Sequence, residues 1–120
     1  MREILFRGKD LAGVWHYGVP LVFTEDYVCI TAPYTYNKAV QPETIGQYTG
    51  VTDKNGKKIF EGDIVKCTYI YDKGYGLRFE PKIEAVVFRE GNFNPLYNCE
   101  RNSFEVIGNI HDNPELLKGE

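Results

Sequence analysis

Short runs of alternating apolar and polar residues, punctuated by Gly, Pro, Asn and Asp, extend along the whole chain. Alternation with a period of two is the mark of strands that bury one face. Residues 3–7 alternate with Ile4 and Phe6 on one face, residues 8–13 read as a turn, and residues 14–17 return, which predicts a hairpin. Gly18 and Pro20 read as an interruption, followed by short runs at 21–23 and 27–31 around Thr24-Glu25-Asp26. Residues 33–42 form a polar, proline-bounded connector. Beyond it the pattern predicts strands at 45–49, 63–71, 83–90 and 104–110, with a minor one at 58–60. In 63–71, Val65, Cys67, Tyr69 and Tyr71 fall on one face and Ile64, Lys66, Thr68 and Ile70 on the other. Phe104, Val106, Gly108 and Ile110 should share a face of the last strand, and Pro114 sits where it could open one helical turn. No amphipathic helix of ten residues is visible, so the class is all-β.

The centre of this organisation is the stretch 45–67, IGQYTGVTDKNGKKIFEGDIVKC. It holds two turn signals, Asp53-Lys54-Asn55-Gly56 and Glu61-Gly62-Asp63. Asn55-Gly56 predicts a type I′ hairpin turn with both central residues at positive φ. Gly62, ahead of the apolar run that Asp63 opens, predicts a tight corner that a side chain would obstruct. Short strands and glycine corners suit a small, strongly bent barrel of the SH3-like kind, whose closure removes exposed edges. The expected organisation is a short-stranded N-terminal β subdomain and connector at 1–44, then an SH3-like β-barrel at 45–120 with a projecting loop at 72–81.

Composition narrows the function classes. The chain of 120 residues suits one domain or two small ones, and its 14% aromatic content suits cross-strand packing. There is no apolar window of about 18 residues for a membrane helix, and the N-terminus lacks the apolar core of a signal peptide, so a cytoplasmic location is expected. Cys29, Cys67 and Cys99 are odd in number and widely spaced, which disfavours a disulfide framework or a zinc site and predicts free thiols. The 14 basic and 17 acidic residues nearly balance, which argues against a protein held to duplex DNA by phosphate contacts.

Candidate chemistry is sparse. His111 and Asp112 are neighbours on or after a strand, where successive side chains diverge, so a catalytic pair is disfavoured, and His16 reads as a strand or surface residue. Glu61 and Asp63 flank Gly62 but lack the further oxygen ligands a calcium loop needs. The glycines at 46, 50, 56 and 62 precede no helix and spell no phosphate loop. No nucleophile–base pair, metal set or cofactor motif can be assembled, so a non-enzyme without cofactor is expected. Two binding constellations are left. Lys54, Lys57 and Lys58 with Tyr69 and Tyr71 could hold single-stranded nucleic acid by phosphate contact and stacking. Trp15, Tyr17, Tyr34 and Tyr36 could form a subunit contact, because short hairpins at 1–32 are marginal unless packed on something.

Three segments carry a resemblance: REILFRGKD at the start, QYTGVTDKNGKKIFEGDIV in the centre and FEVIGNIHDNPELL at the end. In this order and spacing they resemble the YopX family of small proteins encoded by bacteriophages and prophages. The resemblance implies an all-β fold with an SH3-like C-terminal barrel, a phage origin, self-association in the bacterial cytoplasm, and no catalytic residues. The expected function is a phage accessory protein that acts as a homo-oligomeric interaction module toward a phage or host protein. The alternative is a nucleic-acid-binding barrel in phage replication or regulation.

Overall fold

The computed structural model describes residues 3–32, 37–72, 74–96, 99–100 and 102–118. These form an all-β chain of antiparallel sheets with two 3₁₀ turns. They divide into two compact units, Met1–Gly50 and Val51–Glu120.

The first unit contains β1 (Phe6–Lys9), β2 (Trp15–Thr24), β3 (Tyr27–Thr31), β4 (Lys38–Val40), a 3₁₀ turn at Pro42–Thr44, and the start of β5 (Gly46–Thr52). Its strands pair in the order β4-β3-β2-β1-β5. The expected break at Gly18 and Pro20 does not occur, and β2 is one strand of 10 residues. The reason lies in where its neighbours end. The β1 ladder stops at the Phe6–Gly18 pair, while β3 runs on opposite Val19 to Thr24. Pro20 therefore lies past the end of β1, where its missing N–H need not interrupt a second ladder. Gly18 is required for another reason: a Cβ there would collide with the Thr31 carbonyl oxygen.

The expected connector also contains structure. β4 pairs Val40 with Val28 and Lys38 with Ile30, so Val40 joins Val28 and Ile30 in the buried side of the sheet. The 3₁₀ turn is fastened by Thr44, whose hydroxyl accepts the Lys9 N–H and donates to the Gln41 carbonyl.

The second unit contains the end of β5, β6 (Lys58–Phe60), β7 (Asp63–Asp72), β8 (Leu77–Ala85), β9 (Val87–Arg89), β10 (Asn92–Asn94), β11 (Glu105–Asn109) and a 3₁₀ turn at Pro114–Leu117. β7 is the central strand of the sheet β11-β7-β8, and β9 and β10 form a separate pair. Ile59, Val65, Cys67, Val86 and Phe104 close the core, with Val51, Phe93, Leu96, Cys99 and Val106 packed against them. Val65 and Cys67 face inward from β7 while Lys66 is exposed, as alternation requires.

Three features differ from the sequence expectations. Among the described residues no sheet closes into a barrel. β8 and β11 both pair with β7, and at Val86 the backbone bonds to Gly62 and Asp63 instead of extending the ladder. The projecting segment at 72–81 is mostly strand: β8 begins at Leu77, pairs with Asp72 and continues through Phe79–Ile70. Only a short glycine turn separates the two long strands. In β11 the register shifts between Val106 and Gly108, so Ile107 is an extra residue and the expected run of Phe104, Val106, Gly108 and Ile110 on one face is broken.

Candidate functional site

The most conspicuous surface of the first unit is one face of its sheet. Alternation along β2 sets Trp15, Tyr17, Val19 and Leu21 on the same side. Tyr17, Val19 and Leu21 are exposed to 48%, 48% and 42%, which is unusual for three successive inward-type residues on one strand. Register adds Arg7 and Lys9 from β1, opposite Tyr17 and Trp15, and Thr31 and Cys29 from β3, opposite Val19 and Leu21. A register shift between Val22 and Thr24 bends the far end of the strand, where Phe23 stacks on Tyr27 at 5.0 Å between centroids. The neighbouring Cys29 thiol, by hydrogen bond and charge, pushes the Tyr27 phenol above its ordinary range.

Of the interface residues expected from the sequence, Trp15 and Tyr17 lie on this face, whereas Tyr34 and Tyr36 lie outside the described residues. Trp15 is half-buried, with the Arg7 guanidinium 4.6 Å and the Lys9 ammonium 5.9 Å from its ring centre. The bare apolar surface is therefore centred farther along, at Tyr17, Val19 and Leu21. The signal for the last two was present as apolar residues at every second position from 15 to 21. Gly18 and Pro20 masked it.

The turn before β2 is held by Asp10. Its Oδ1 accepts the N–H groups of Ala12 and Val14, and its Oδ2 lies 2.8 Å from His16 Nε2. The His16 hydrogen bond, followed by the Val14 N–H, holds the Asp10 carboxyl below its ordinary range. Alternation puts His16 on the opposite face from Trp15 and Tyr17. This pair orients a turn.

The central motif is likewise structural. Asn55 does not have positive φ, so the turn is not type I′: Gly56 alone takes φ +83°. The cause is Asp53, whose Oδ1 accepts the N–H groups of Asn55 and Lys57 and whose Oδ2 accepts that of Val106. The Asp side chain supplies the turn geometry that Asn-Gly would otherwise supply, and it fastens the turn to β11. Burial pushes the Asp53 carboxyl up, but the Val106, Lys57 and Asn55 donors outweigh it and hold it below the ordinary range. Gly62 turns the second corner at φ +93°, where an L side chain is strained. Asp63 is fully buried and accepts the Phe60 N–H at 2.7 Å. The backbone of this corner bonds to Val86 on one side and Ile110 on the other.

The nucleic-acid constellation divides, its lysines in one place and its tyrosines in another. Lys54, Lys57 and Lys58 are exposed around the β5–β6 turn, and Lys54 lies 3.6 Å from Glu105. Tyr69 and Tyr71 are half-buried on the distal part of β7, and the Lys82 ammonium sits 5.0 Å from the Tyr69 ring centre. Among the described residues there is no group of three or more His, Cys, Asp or Glu arranged to hold a metal ion, and no helix long and apolar enough to cross a membrane.

One contact had no signal in the sequence. Cys67 and Cys99, 32 positions apart, place their Sγ atoms 2.8 Å from each other as free thiols. Cys29 is buried in the other unit.

A family model described as YopX protein matches residues 17–118, nearly the whole chain. Among solved structures, the chain is similar to the crystal structure of protein EF1440 from Enterococcus faecalis. That likeness has 28% sequence identity, a TM-score of 0.59, and coverage of 98% of this chain and 99% of that one. Among curated proteins no relative matches. The chain belongs to the YopX protein family.

Proposed function

We propose that this protein is a non-enzymatic accessory protein of a phage or prophage, working in the bacterial cytoplasm as a self-associating interaction module. The observation that carries this reading is the exposed row Tyr17, Val19 and Leu21 on the first unit's sheet. With strands about 4.8 Å apart and about 3.3 Å of rise per residue, such a row and its flanking strands span a few hundred Å², the size of patch that marks an interface.

A second copy is the occupant that the charge pattern favours. β2 begins beside Lys9, which pairs with Trp15, and ends at the Glu25-Asp26 turn. A two-fold axis through the middle of β2 sets the acidic end of each copy against the basic end of the other. Closed symmetry then covers both apolar rows with a single contact.

Light scattering on the purified chain at micromolar concentration tests this. The expected result is a whole multiple of one chain's mass, and a mass of one chain overturns the reading. The same sample distinguishes the nucleic-acid alternative, which the exposed Lys57 and Lys58 would serve: co-eluting nucleic acid, removed by nuclease with loss of the larger mass, supports that alternative against self-association.

A further inference from the structure

We infer that Cys67 and Cys99 form a redox-modification site, a paired thiol that a peroxide converts to a disulfide within the chain. Their sulfur atoms are 2.8 Å apart, closer than ordinary van der Waals contact, against a disulfide bond length of about 2.05 Å. The approach is set by backbone on both sides. Tyr69 and Cys99 form an isolated antiparallel bridge. The Glu100 N–H donates to the Thr68 carbonyl at 2.8 Å, and the Thr68 N–H donates to Ser103 Oγ at 2.9 Å. The Ser103 hydroxyl in turn donates to the Glu100 carbonyl at 2.7 Å. These bonds tie the stretch that carries Cys99 to the strand that carries Cys67.

Access differs between the two sulfurs in a useful way. Cys67 belongs to the core cluster, whereas Cys99 is half-buried at its margin. A cavity lined by Lys54, Lys66, Thr68, Ser103 and Glu105 opens on the Cys67 side of the pair and does not reach Cys99. Burial raises both thiols above their ordinary range, so exposure decides between them, and Cys99 is the less buried of the two. Cys99 is therefore the attacking sulfur and Cys67 the resolving one.

The reaction balances with hydrogen peroxide as oxidant. Cys99 Sγ loses its proton to solvent and attacks one peroxide oxygen. The O–O bond breaks, a sulfenic acid forms, and the departing hydroxide is protonated to water. Cys67 Sγ then attacks the sulfenyl sulfur, the S–S bond forms, the S–O bond breaks, and the second hydroxide leaves as water with the Cys67 proton. Two thiols are oxidised by two electrons and one peroxide is reduced to two waters. The product ties the margin of the core to its central strand.

The test treats the intact chain with hydrogen peroxide at mildly alkaline pH, alkylates the remaining thiols in denaturant, and reads the mass without reductant. The expected product is a single chain lighter by two hydrogens, with one alkylated cysteine where the untreated protein has three. Digestion should yield one linked peptide containing Cys67 and Cys99, Cys29→Ser should give the same linked peptide with no cysteine left to alkylate, and dithiothreitol should restore all thiols. Cys67→Ala should instead leave a Cys99 sulfenic acid that a cyclic dione traps. Addition of two or three oxygens at Cys99 without a linked peptide overturns the inference. So does a disulfide between chains, or three thiols left unreacted. Because the decisive readout is on the parent protein, a variant that fails to fold does not obscure it.

Discussion

The two units treat their apolar residues in opposite ways. The second gathers Ile59, Val65, Val86 and Phe104 into a closed cluster and spends its polar residues on fastening turns around it. The first buries Val28, Ile30 and Val40 on one side of its sheet and leaves Tyr17, Val19 and Leu21 bare on the other. Among the described residues, nine of the fifteen exposed large apolar side chains precede Gly50: Ile4, Leu11, Val14, Tyr17, Val19, Leu21, Val22, Phe23 and Tyr27. A sheet with one covered face is a stable unit only when its other face is polar or covered by something else. The contrast teaches that one unit is self-sufficient as a core and the other presents a surface.

That contrast is broken most forcefully from inside the closed core. Phe104 is buried to 2% exposure and lies within the cluster of Val65 and Val86. Phe104→Ala removes its packing and leaves a cavity among Ile59, Val65 and Val86, at a cost of about 3–5 kcal/mol. Urea denaturation followed by circular dichroism should show this loss. An effect below about 1 kcal/mol would mean that the cluster is loosely packed and that the two units differ less than their burial suggests.

A smaller effect is expected at the fastening of the core. Asp53→Ala leaves the N–H groups of Asn55, Lys57 and Val106 without their acceptor, the last of them half-buried. The expected loss is about 2–3 kcal/mol, since hydrogen bonds to a charged acceptor are among the stronger ones. The dependence on pH separates charge from shape. The folded Asp53 carboxyl lies below its ordinary value of 3.8, so its contribution is complete above that pH. It is lost as pH falls through the lower, folded value. Asp53→Asn should therefore be less stable than the parent at neutral pH and approach it as pH falls below the ordinary carboxylate value. Parallel melting curves for the two proteins across that range, with no convergence, would show that the carboxylate charge has no part in holding the turn.

How much of this was legible depended on whether the determinant was local. The 27–31 and 58–60 strands and the glycine corner at 62 follow from a few consecutive residues, and the structure contains β3, β6 and a left-handed Gly62 at those places. Asp53 was legible as a turn former, but its bond to Val106 spans 53 positions and was not. Pro20 was misread because its tolerance depends on where β1 stops, a property of the neighbour and not of β2. The same holds for β4, which forms because Val28 offers a partner to Val40. The Ile107 bulge and the Cys67–Cys99 contact lie at the far end of that scale, set wholly by how distant strands meet.

The smallest effect on the chain's own stability, and the sharpest test of the contrast, is expected on the bare face. Leu21 is 42% exposed and stands between Tyr17–Val19 and the bend at Phe23. In an isolated chain, Leu21→Lys adds a solvated ammonium and removes little packing, so stability should change by less than about 0.5 kcal/mol. In an assembly, the same change puts a charge into a covered apolar contact, where its desolvation is opposed by no partner. The two cases separate by concentration. For the parent, assembly makes the melting midpoint rise with protein concentration. For Leu21→Lys the midpoint should be independent of concentration, and light scattering should give the mass of one chain. Lys54→Ala, at an exposed ion pair of 3.6 Å on the other unit, should leave both mass and concentration dependence as in the parent. If Leu21→Lys retains the parent's mass while lowering its midpoint at every concentration, the face is not the contact and Leu21 supports the sheet itself.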